Sequence, residues 1–204
     1  MVWAKMETNT LTSTSLDINL GATTPFTAKK FTQHLFHGID DGTGSSGDCV
    51  TRTRPDNTGG TAYAHRVSED GSADSTFTSQ DGIYHALNVA TDDHFIIDYI
   101  CGITGEELLQ IGFFIDAVAS GATSAPTRAE IVNKYTGTPE FTSLYNNNTR
   151  GTTIGYEFDV GSNATILTGD ETEIATLQDG TIFEETDTNK AYIWSSSSQT
   201  WTQL

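Results

Sequence analysis

The sequence has little of what many familiar functions require. Basic residues are scarce: 10 Lys and Arg stand against 27 Asp and Glu, a formal charge of −17 at pH 7. Nucleic-acid binding rests on lysines and arginines that neutralise phosphates, so a chain of this charge is repelled by DNA and RNA. The same charge favours solubility. No apolar run approaches the length of a membrane-spanning helix. The N-terminus, Met1-Val2-Trp3-Ala4-Lys5-Met6-Glu7, has neither the basic start nor the apolar stretch of a secretory signal, which predicts synthesis in a cytoplasm. There are only two cysteines, Cys49 and Cys101, too few for a disulfide scaffold or a thiolate zinc site. In a reducing compartment both are expected as free thiols, Cys101 as a small buried apolar residue and Cys49 beside a glycine-rich loop. A bond between them after release is the alternative.

Helix formers are also few, while Thr, Ser, Gly, Asn and Asp abound. Periodicity of 3.6 residues is almost missing. The one helix-like phrase, Thr104-Gly105-Glu106-Glu107-Leu108-Leu109, runs on into apolar alternation and reads as a turn entering a strand. Short segments between Gly, Asp, Asn and Pro clusters predict strands at 11–20, 26–38, 61–68, 94–103, 108–117, 128–135, 140–145, 156–160 and 165–167. The polar, glycine-rich stretches 40–55 and 71–82 predict exposed loops. Segment 94–103 is apolar on both faces except at Asp98, as expected of a central strand. Leu109, Ile111, Phe113 and Ile115 alternate with other residues, which predicts that their face is buried.

About nine strands with no helical alternation predict an all-β chain, an antiparallel β-sandwich of jelly-roll type over residues 1–170. A second unit, 171–204, follows a boundary at 170–175. Within it, strands at 181–185, 191–194 and 200–203 flank a polar turn at 186–190, forming a small β-meander. Three short strands are marginal alone, so this unit must lean on something larger.

Candidate chemistry is sparse. No Gly-x-Ser-x-Gly elbow is present. His34 and His37, three apart on a strand, point to opposite faces and cannot chelate together. All five histidines read as structural or surface residues. Adjacent acids such as Glu106-Glu107 and Glu184-Glu185 also face opposite ways, so neither is a paired-carboxylate site. Calcium is the more serious metal: Asp40, Asp41 and Asp48 on one loop, and Asp70 and Asp74 on another, offer hard oxygen ligands. Neither set has EF-hand spacing, and Asp-Gly is the ordinary dipeptide of a solvated turn. No cofactor is expected. Tyr192, Trp194 and Trp201 offer flat apolar faces, either for stacking on sugars or for packing the meander against a partner. Arg128 and Glu130 share a strand face and are placed to pair.

The terminal phrase resembles a short β-module found near the ends of virion proteins of tailed bacteriophages. Gly180, Phe183, Glu185, Thr186, Asp187, Thr188, Tyr192, Trp194, Trp201 and Thr202 stand at the matching places. The phrases Tyr63 to Asp74, Ala125 to Glu130 with Lys134-Tyr135, and Gly161 to Gly169 resemble strands of structural proteins from environmental phages. His65 replaces the usual aromatic there, and Cys49 to Asp56 does not match. The resemblance implies no chemistry. It implies a virion location, and the acidic balance places the chain outside the shell, away from packaged DNA. The expectation is therefore a non-enzymatic structural protein on the virion exterior, made in the host cytoplasm and acting as a capsid decoration or a head or tail fibre component. The implied partners are capsid or tail proteins and sister chains in a homo-oligomer, with a trimer suggested by analogy to other jelly-roll surface proteins. The rival reading is an adhesin that binds host glycans.

Overall fold

The computed structural model describes residues 4–26, 30–39, 50–85, 93–102, 107–117, 122–123, 125–137, 141–149, 158–169, 180–185, 190–195, 197 and 200–204. Among these every regular element is a strand. They are β1 (Ala4–Thr10), β2 (Asp17–Leu20), β3 (Phe31–Gly38), β4 (Val50–Pro55), β5 (Tyr63–Glu69), β6 (Ser75–Gln80), β7 (Ile83–Tyr84) and β8 (His94–Cys101). They continue with β9 (Leu108–Asp116), β10 (Thr127–Tyr135), β11 (Leu144–Thr149), β12 (Asn163–Gly169), β13 (Ile182–Glu185), β14 (Lys190–Ser195) and β15 (Thr200–Gln203).

The chain divides into two compact units, Trp3–Thr168 and a smaller one containing Gly169–Leu204. The larger is an antiparallel β-sandwich. One sheet has eight strands in the order β1-β12-β3-β8-β9-β10-β5-β6, and the other has four, β2-β11-β4-β7. One apolar core joins them, with Ile18, Leu20, Ile83 and Leu144 from the smaller sheet and Phe36, Ile96, Phe114, Ile131 and Ile166 from the larger. Burying each such side chain is worth roughly 1.5–3 kcal/mol, which holds the sheets together.

Local chemistry explains the turns. Between β5 and β6, Asp70 and Gly71 both have positive φ, at 49° and 76°, and Ser72 N–H donates to the Glu69 carbonyl at 2.8 Å. Two left-handed residues in succession make the turn whose twist suits a hairpin, and Asp-Gly tolerates it best. After β4, the Asp56 carboxylate accepts from the backbone N–H groups of Thr142 (2.8 Å) and Ser143 (2.9 Å), which ties that corner to the start of β11.

Two strands arise where the sequence predicted loops: β4 lies in 40–55 and β6 in 71–82, and the short, unpredicted β7 follows directly after the second. The first predicted strand, 11–20, resolves into β2 preceded by the unpredicted β1, which pairs antiparallel with β12. Of the predicted strand 140–145, residue 140 lies outside the described residues and 141–143 precede rather than belong to β11, which runs on to Thr149. In the described part of 156–160, Phe158 makes an isolated bridge to Ser15. The turn at 186–189 lies outside the described residues.

Candidate interaction surface

The inner face of the large sheet is unusually polar, and that decides what the outer face carries. In β8, His94, Ile96, Asp98 and Ile100 point inward; in β9, Leu108, Gln110, Gly112, Phe114 and Asp116 do. His34 Nδ1 meets Asp98 Oδ2 at 2.9 Å, and both side chains have zero exposure. His85 Nδ1 lies 3.6 Å from the other Asp98 oxygen. His85 Nε2 reaches the Thr53 hydroxyl at 2.8 Å, and Thr53 donates to Asn146 Oδ1 at 3.0 Å. Thr51 joins His94 Nε2 at 3.1 Å. The Thr51–His94 hydrogen bond and the approach of His85 to Asp98 thus bridge the two sheets alongside apolar contact.

Burial holds the His85 imidazole below its ordinary pKa; the Asp98 carboxylate opposes this and His34 adds to it. His65 is pushed down to about 4, first by burial and then by His85. The side-chain polar atoms of Gln110 and Asn133, register neighbours across β9 and β10, have no protein partner. Gly112 leaves the space that Asp98 fills: a Cβ there would stand 2.4 Å from Asp98 Oδ1.

On the outer face the order is reversed. Leu109, Ile111, Phe113 and Ile115, expected inside, are 44–56% exposed. The sequence prediction grouped these residues correctly but assigned them to the wrong side of the sheet. Phe95 and Tyr99 from β8 and Val132 from β10 extend the patch. Register places them in rows: Tyr99 beside Ile111 beside Val132, and Phe95 beside Ile115. The patch therefore crosses three adjacent strands near the middle of the sheet.

Its rim is charged in matched pairs. Lys134 Nζ lies 3.1 Å from Glu107, Arg66 lies 3.4 Å from Asp74, and Arg128 lies 4.0 Å from Glu130. These six charges sum to zero on a chain of −17. Shallow depressions lie along the Val132 ridge, one beside Leu109 and Phe77, the other beside Ile111 and Phe113.

The smaller unit is the predicted meander, β13-β14-β15. Trp194 and Trp201 are direct register partners, so they share a face, and Tyr192 joins them by alternation along β14. The two indole rings pack at 5.4 Å between centroids, tilted 56°. Trp201 remains 39% exposed.

The other candidate residues fall as follows. Asp40, Asp41, Asp48 and Cys49 lie outside the described residues. Asp70 Oδ1 accepts from the Arg128 backbone N–H at 2.9 Å, while Asp74 faces Arg66; the two acids serve separate partners. No group of three metal-ligating side chains occurs among the described residues. Cys101 is a free thiol, half-buried rather than buried as expected, because its side chain lies on the outer face of β8.

Sequence reasoning missed a further cluster on the small sheet. Arg52 and Arg54 both grip Asp81 Oδ2, at 2.6 and 2.5 Å, and the Tyr84 hydroxyl donates to its Oδ1. Burial alone would raise the Asp81 pKa; Tyr84 and the two guanidinium groups bring it below the ordinary carboxylate range. The signal was present in Val50-Thr51-Arg52-Thr53-Arg54, where alternation is between β-branched and long polar residues. The cluster pins β4 against β7.

No protein-family model, curated protein or solved structure matches this chain.

Proposed function

We propose that this chain is a non-enzymatic structural protein of the exterior of a tailed-virus particle, a capsid decoration or a head or tail fibre component, which works by protein–protein association. The observation that carries the reading is the outer face of β8, β9 and β10. A sandwich that buries histidine, aspartate and glutamine while presenting leucine, isoleucine and phenylalanine to water has its apolar surface arranged for a partner. The patch would bury area worth roughly 25 cal/mol per Å² before the cost of association. The phrases resembling phage structural proteins give the reading its location. The acidic balance agrees, since a protein of −17 belongs away from packaged DNA.

The test is to purify particles from the source of the sequence by density gradient, search their proteins for peptides of this chain, and label intact particles with an antibody against it. Peptides in stoichiometric amount and label on the outside are expected. Absence from the particles would remove the reading.

A second reading is favoured by one observation, the common face of Tyr192, Trp194 and Trp201 with Trp201 partly exposed. That face suits stacking on a sugar ring. Glycan-array binding lost in Trp201→Ala is its expected result, and an array without signal would dismiss it.

A further inference from the structure

We infer that the outer face of the eight-stranded sheet pairs with the same face of a second copy, about a two-fold axis lying between the stacked sheets. The inference rests on the association reading above and names the partner.

Area is the first argument. From their fractional exposures, the apolar side chains of the patch present on the order of 600 Å² to solvent, at the top of the range for the largest patch on a monomer. With the charged rim this reaches the roughly 800 Å² per partner of a standard stable interface.

Charge is the second argument. A chain of −17 repels its own copies over most of its surface. A positively charged partner would be met by that acidic surface. The face in question is the exception: Lys134 with Glu107, Arg66 with Asp74 and Arg128 with Glu130 balance one another within the face. Two copies meeting here bring no net like charge together, and each rim offers both signs to its symmetry mate.

Geometry is the third. An isologous contact needs one patch that complements itself. Sheets of identical twist stack face to face with interleaved side chains. Here Ile111, Phe113 and Val132, all exposed, line a shallow depression that a side chain of the facing copy can enter.

The test is sedimentation equilibrium of the full chain and of three variants. Ile111→Asp and Val132→Asp change exposed side chains that the fold does not need; Trp201→Ala alters the meander alone. The wild type should sediment at twice the 22.0 kDa chain mass at about 10 μM. Either aspartate should weaken pairing by roughly 100-fold or more, since it buries an unpaired charge, with the circular dichroism spectrum unchanged. Trp201→Ala should pair like wild type. A wild-type monomer, a trimer, or a dimer indifferent to both aspartates would each overturn the inference, as would a dimer lost only in Trp201→Ala. The outcome is separable from that for particle location. A monomer found on particles ends the pairing and keeps the function; a dimer absent from particles does the opposite.

Discussion

Acid should loosen the sandwich through its buried imidazoles, and His65 allows the effect to be isolated. Its pKa stands at about 4 in the folded protein against an ordinary value near 6.5. Between those values the unfolded chain takes up a proton that the native state refuses. Stability therefore rises with pH across the interval. Read downward, the contribution is intact above about pH 6.5 and is lost as pH falls towards about 4, a loss on the order of 3 kcal/mol. His85 is shifted in the same direction and adds to the slope. Substituting His65 by Phe removes one titration and keeps the stack on Phe77, whose ring lies 4.8 Å away. The His65 Nδ1 has no partner to lose. Urea unfolding of wild type and His65→Phe, followed by far-UV circular dichroism at fixed protein concentration, should give profiles that converge at neutral pH relative to their own maxima. By about pH 4.5 the wild type should have lost about 2–3 kcal/mol more than the variant. The variant should retain a shallower slope from His85. Parallel profiles would refute the assignment of the acid response to this imidazole.

Three other outcomes follow from the interior and the meander. Gly112→Ala should cost about 1–3 kcal/mol in denaturant unfolding, because the added Cβ collides with Asp98; a neutral result would mean the Asp98 site yields freely. Asn133→Leu should be neutral or stabilise by about 1 kcal/mol, since the amide is buried without a protein partner; marked destabilisation would show that the amide is satisfied by other means. Trp201→Phe should abolish the exciton couplet expected in circular dichroism from the Trp194–Trp201 pair, while the body unfolds at the wild-type denaturant concentration.

Much of the fold was legible because the signals were local. The meander was readable from its turn residues and aromatics, and its predicted strands agree with β13, β14 and β15 to within one residue at each end. The central strand was readable from apolar character on both faces, and β8 is fourth in the order of eight. β4 and β6 were hidden because their alternation is polar: in β4, Thr51 faces His94 across the sandwich and Thr53 meets His85 beside it in the small sheet, while Arg52 turns to Asp81. The patch on β9 was half legible. Alternation says which residues share a face, and only tertiary context says which face is inside. Here the neighbours decided it, since Asp98 and His34 already filled the interior row in which Gly112 lies. Nothing in the local sequence announced that Gln110 would be enclosed and Ile111 left outside.

The fit between Asp98 and Gly112 also bears on how the chain avoids misfolding. A strand whose two faces are both tolerable invites a slip by one residue, which exchanges every side chain between the faces. For β9 the slipped arrangement would satisfy hydrophobicity better than the native one. It would also drive Ile111 or Phe113 into a carboxylate already bonded to one imidazole and flanked by another, where there is no room for a side chain. The buried acid thus acts as a steric key for strand alignment, and through that alignment it keeps the sticky residues turned towards the outside world.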